Sequence, residues 1–129
     1  MKNETKILKL DYSCLSDELQ FKHFSGATNK VDFALDMSEE DAIALLKFIR
    51  ATLRGEVEVP IKIFGKYEVC ISDVDRHNFS FSVSFIECLG EKCKPLGEKV
   101  TYSSYVGSLS MLEGLSKAIR RLEEIQVIG

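Results

Sequence analysis

The amino-acid sequence predicts an α+β fold: a mainly antiparallel sheet of about six to seven strands with two amphipathic helices packed on one face. Three observations predict it. Apolar and polar residues alternate along most of the chain, the period of half-buried strands. Two stretches, after Ser38 and after Gly107, switch to helical spacing. Neighbouring strand-like runs are joined by short connections, which pair them antiparallel. The implied order is β-β-β-α-β-β-β-β-α, in one domain spanning residues 1–129.

In the first strand Leu8, Leu10 and Tyr12 alternate with Lys9 and Asp11. A second runs from Leu19 to Phe24, and Gly26 and Asn29 supply turn chemistry after it. Val31, Phe33, Leu35 and Met37 then alternate with Asp32, Ala34 and Asp36, which closes a hairpin. Ser38 is placed to cap the first helix, with Asp41 three residues on in a capping-box position. Glu39, Glu40 and Asp41 put negative charge where the helix dipole favours it. Ala42, Leu45, Leu46, Ile49 and Leu53 share a face flanked by Ile43 and Phe48, and Gly55 suits the left-handed position that ends a helix.

A meander follows. Val57, Val59, Ile61 and Ile63 alternate with polar residues, and Pro60, which cannot donate a ladder bond, makes this an edge or irregular strand. Gly65-Lys66 turns the chain into Tyr67, Val69 and Ile71. The stretch from Ser72 to Asn78 reads as a loop, and Phe79, Phe81, Val83 and Phe85 alternate with Ser80, Ser82 and Ser84, a hydroxyl face that reads as plain surface. Residues from Gly90 to Lys99 read as a surface loop, and Val100 to Val106 as the last strand. The second helix is capped by Ser108 or by Ser110, the latter boxed with Glu113, and carries Met111, Leu115, Ala118, Leu122 and Ile125 on one stripe, widened by Leu112 and Ile119. Gly114 weakens that helix by about 1 kcal/mol relative to alanine.

Composition excludes several function classes. The chain has 129 residues, 45% hydrophobic and 29% charged, enough to fold around its own core. Its net charge of -3 argues against a dedicated nucleic-acid binder. Apolar runs are far shorter than the roughly 20 residues that span a bilayer, and no secretory signal follows the charged start, so a cytoplasmic protein without membrane contact is expected. In that setting Cys14, Cys70, Cys88 and Cys93 are expected as free thiols, packing at Cys70 and Cys88; a zinc site built on Cys88-x4-Cys93 would need a second short ligand pair.

Phosphate-cradling, nucleophile-elbow and zinc-helix motifs are absent, and only His23 and His77 offer imidazole. His23 reads as a half-exposed neighbour of a turn. Asp73, Asp75 and His77 would point the same way if extended, a possible seat for a divalent cation, yet Asp, Asn and Arg are also what a plain hairpin connection uses. The phenylalanines alternate with polar residues and read as core, without the basic interleaving of a base-stacking platform. No cofactor, metal or catalytic residue is therefore expected, and the protein is expected not to be an enzyme. The rival readings are a small metal-dependent or regulatory domain using the Asp73-Asp75-His77 loop and a homo-oligomeric regulatory module.

Charge is uneven. Residues 31–60 hold seven acidic side chains against Lys47, Arg50 and Arg54, a net of -4 that leaves +1 for the rest. Asp32, Asp36, Glu39, Glu40 and Asp41 fall on an outward strand face and the helix start beside it, a patch suited to a basic protein partner; Asp73 and Asp75 are a second acidic candidate. The run from Ser38 to Glu56, between a strand with polar residues outward and an alternating strand run, with a terminal strand and amphipathic helix, resembles small bacterial immunity proteins that neutralise polymorphic or contact-dependent toxins. The resemblance covers residues 19–125 and lies in order and pattern. It implies a cytoplasmic protein that binds one cognate toxin, many of which are nucleases with basic clefts, and blocks it by occlusion.

Overall fold

The computed structural model describes residues 8–13, 15–25, 28–75, 77, 80–97, 99–103 and 108–128. Its elements are β1 (Leu8–Ser13), β2 (Glu18–Ser25), β3 (Thr28–Asp36), α1 (Glu39–Leu53), β4 (Ile61–Phe64), β5 (Tyr67–Asp75), β6 (Ser80–Leu89), β7 (Lys92–Pro95), β8 (Val100–Ser103) and α2 (Ser108–Ile128). Every strand pair is antiparallel, so the α+β class and the mainly antiparallel pairing hold. The single sheet does not. Among the described residues eight strands form two sheets, ordered β1-β2-β3 and β4-β5-β6-β7, with β8 also on β6. β6 is long enough for β8 to pair its first half and β7 its second.

Aromatic side chains join the sheets. Phe85 of β6 meets Phe21 and Phe33 at centroid separations of 5.2 and 4.8 Å. Tyr102 of β8 donates its hydroxyl proton to Asp32 of β3 at 3.0 Å, and the Tyr67 hydroxyl accepts from the Asp36 amide at 2.9 Å. The helices follow the same logic: α1 packs on α2, β4 and β5, and α2 also packs on β1. Leu45, Leu46, Ile49, Leu115, Ile119 and Leu122 are buried in the cluster that holds Phe21, Leu35 and Phe81.

The first helix follows its sequence signals. Ser38 Oγ accepts from the Asp41 amide at 3.1 Å, which satisfies one of the donors a helix start leaves open. Gly55 adopts φ 77°, and the Glu56 amide reaches back to the Ala51 carbonyl, closing a left-handed C-terminal turn. The second helix begins at Ser108, so Ser110 lies inside it and the Ser110–Glu113 box is not a cap.

Four further expectations are corrected. Residues 57–60 are not a strand, because Pro60 lacks the ladder donor; only its carbonyl joins in, accepting from Ile71. β5 continues through Ser72 to Asp75, part of the expected loop, by means of an irregularity at which Asp73 takes φ 52°. Lys92–Pro95 form β7 inside the other expected loop; all four residues are exposed, so no burial pattern marks them. Cys88 and Cys93 face each other across β6 and β7 with Cα atoms 4.1 Å apart and form a disulfide, not two thiols; Cys70 is free. Their direct opposition in the hairpin register supplies the proximity that spacing alone leaves open. Cys14, Phe79 and Gly107 lie outside the described residues, as do the side chains of His23 and Met111. Among the described residues no helix is long and apolar enough to cross a membrane.

Candidate protein-binding surface

The acidic residues separate into three places. Asp36 ends β3, and Glu39, Glu40 and Asp41 form the first turn of α1 immediately after the capping serine. The β4–β5 turn is fastened beneath them. Gly65 takes φ +61°, a left-handed turn position, and a Cβ there would stand 3.1 Å from Asp41 Oδ2, so the carboxylate leans directly over the turn. Lys66 Nζ lies 3.5 Å from Glu87 and 3.9 Å from Asp36, and over the ring of Tyr67 at 5.5 Å. Tyr67, Glu87 and Asp36 hold its pKa above the ordinary lysine value, Tyr67 most of all, and partial desolvation opposes them.

Lys66 thus lies between Asp36 and Glu87, and the acidic first turn of α1, Glu39, Glu40 and Asp41, adjoins them where Asp41 leans over Gly65. Asp36 is 71% exposed, and ion pairs this open contribute little to stability. Their effect is to hold the carboxylates in place beside the positive end of α1. Part of the patch is therefore ordinary helix-start chemistry; what exceeds it is the addition of Asp36 and Glu87 from other elements.

Asp32 does not belong to this surface. Four residues upstream along an extended strand, it lies about 13 Å from Asp36. Its carboxylate accepts from buried Tyr102, so its place is structural. Burial first, then the Asp32 charge and hydrogen bond, push the Tyr102 phenol far above its ordinary pKa.

Asp73 and Asp75 lie at the opposite end of β5 from Tyr67, about 20 Å or more along the strand. Asp73 Oδ2 accepts a hydrogen bond from Lys99 Nζ at 2.8 Å, and that bond, then one from Ser82, then the lysine charge lower its pKa. Asp75 accepts the His77 amide at 3.0 Å, the local turn that aspartate favours. The irregularity in β5 breaks the alternation that would align Asp73, Asp75 and His77, and among the described residues no three His, Cys, Asp or Glu side chains converge on a metal position. Ser82 is buried and shares a hydrogen bond with Thr101, so this hydroxyl is not plain surface.

Sequence reasoning missed Lys66 and Glu87. Neither carries a local signal; their meeting depends on the register that sets Tyr67 opposite Glu87. No protein-family model matches the chain, and no curated protein or solved structure shows significant similarity to it.

Proposed function

We propose that this chain is a non-enzymatic, stoichiometric protein-binding inhibitor of the immunity type, which occludes a basic toxin domain. The observation that carries the reading is the bracketing of Lys66 by Asp36 of β3 and Glu87 of β6 beside the acidic first turn of α1, whose Asp41 leans over Gly65. Such a surface attracts a basic cleft at a distance and aligns it on contact, which raises the association rate more than it slows dissociation. A nuclease cleft built for phosphates has the complementary charge. The sequence pattern from Ser38 to Glu56, like that of immunity proteins, supports the same class.

The test is affinity capture from the native host at low and high salt, followed by association kinetics with the captured protein. One stoichiometric basic partner is expected, whose on-rate falls about tenfold or more when Asp36→Lys and Glu40→Lys are combined. Both side chains are exposed, so the fold survives the change. An on-rate indifferent to both salt and charge reversal refutes the assignment of this surface.

A further inference from the structure

β7 adds nothing to the core. Its four residues, Lys92–Pro95, are all exposed, and among the described residues it pairs with β6 alone. Gly90, at φ +66°, turns the chain into it. Past Pro95 the Leu96 amide donates to the Phe85 carbonyl at 2.9 Å, and Leu96 packs against the core. Between those two anchors the strand is held by its ladder bonds and by the Cys88–Cys93 disulfide. A segment that buries no apolar side chain opens at low free energy once such a tie is cut.

Cys88 is clamped from both sides. Its amide donates to the Lys66 carbonyl at 2.7 Å, which continues the β5–β6 ladder past Tyr67, and its sulfur is bonded to Cys93. The preceding residue, Glu87, reaches Lys66 Nζ at 3.5 Å. The end of β6 that presents Glu87 is thus fixed by the β4–β5 turn on one side and by the disulfide on the other. Cys93 is exposed and Cys88 half-buried, so a small thiol reaches the bond from solvent at Cys93. No residue from 86 to 95 belongs to the buried core, so the fold stands without the bond.

We propose that Cys88–Cys93 is a reversible redox site, opened by a low-molecular-weight thiol and closed by the corresponding disulfide, whose state sets the order of β7 and the placement of Glu87. Its use, control of the acidic surface by redox state, rests on the function proposed above; the site itself does not. With glutathione, one thiolate attacks the Cys93 sulfur, the S–S bond breaks, and Cys88 leaves as a thiolate that takes up a proton. A second thiolate attacks the glutathione sulfur of the mixed disulfide, and Cys93 leaves and is protonated in turn. Two glutathione thiols are oxidised to one glutathione disulfide while the protein disulfide is reduced to two thiols. The same steps in reverse close it.

The test equilibrates the oxidised full chain at neutral pH in buffers of reduced and oxidised glutathione, then alkylates it and weighs the Cys88 and Cys93 peptides. The bond is expected to open in millimolar reduced glutathione and to close when the ratio is reversed. Circular dichroism should stay native, with a melting temperature lower by about 5 °C. The amides of Cys88 and β7 should exchange about tenfold faster, and the Glu87 carboxylate resonance should move. Cys88→Ser with Cys93→Ser should reproduce the reduced protein in each readout. The proposal is overturned if the bond survives millimolar reduced glutathione, or if it opens only as the chain unfolds. It is also overturned if opening leaves the exchange of Cys88 and β7 and the Glu87 resonance unchanged. A double-serine chain that does not fold overturns it too, because the bond is then a structural staple. Charge reversal at Asp36 and Glu40 tests the acidic surface without touching either cysteine, so the two proposals fail separately.

Discussion

Replacing Tyr102 by phenylalanine removes one oxygen and leaves the buried ring in place, which isolates the hydrogen bond between the two sheets. A hydrogen bond to a charged acceptor contributes about 1.5–3 kcal/mol, and Asp32 is only half-buried, so solvent recovers part of the loss and about 1.5 kcal/mol is expected at pH 7. The alkaline behaviour is more diagnostic. The folded phenol is pushed far above its ordinary pKa of 10.0, first by burial and then by Asp32. A raised folded pKa contributes stability that is whole below pH 10 and is lost as pH rises, because the unfolded chain then releases the proton first. At pH 11 the unfolded phenol is ionised about ten to one, which favours unfolding by about 1.4 kcal/mol in the wild type and not in the variant. The gap between the two proteins should therefore close almost completely between pH 7 and pH 11, while lysines and other tyrosines cancel in the difference. Urea denaturation at both pH values, with equal m-values, reads it directly. A gap that is the same at pH 11 as at pH 7 would refute the account of Tyr102 as a phenol kept protonated against Asp32.

Two further expectations concern the packing that holds the acidic surface in place. Phe85→Ala removes the ring that Phe21 and Phe33 both touch and should destabilise the protein by about 3–5 kcal/mol in urea titration, most of the stability of a small domain; a loss under about 1 kcal/mol would mean the sheets do not depend on each other. Gly65→Ala forces a side chain into φ +61° with its Cβ 3.1 Å from the Asp41 carboxylate, and should lower stability by about 1–2 kcal/mol and shift the Asp41 resonance in a carboxylate-resolved NMR spectrum. An unmoved Asp41 signal would detach the β4–β5 turn from the helix start.

The elements that were legible in the sequence are those whose side chains report their own surroundings. β3 alternates buried Phe33 and Leu35 with exposed Ala34 and Asp36, and α1 carries its cap, its stripe and its terminating glycine within one continuous run. β7 was illegible because its four exposed residues are held by backbone pairing and the Cys88–Cys93 bond, neither of which leaves a hydrophobic period. Division into two sheets was illegible for a related reason. Periodicity says that Phe21, Phe33 and Phe85 are buried, but not that they are buried against each other. Of the acidic candidates, the run Asp36 to Asp41 was readable because it is contiguous. Asp32 was grouped with that run because period two places it outward without revealing that Tyr102 reaches across from another sheet.

Charge pairing separates the surfaces further than charge counting does. The Lys22–Asp11 and Lys47–Glu123 pairs join elements already packed together, Lys99–Asp73 ties the residue before β8 to β5, and in each the two charges neutralise one another locally. At Lys66 the balance differs: Asp36 at 3.9 Å and Glu87 at 3.5 Å share one ammonium, and the acidic first turn of α1 adjoins them. The net charge of -3 conceals this, because it sums over the whole chain. A chain that binds through this surface must show association rates that fall as ionic strength rises, and the partner that it steers is basic.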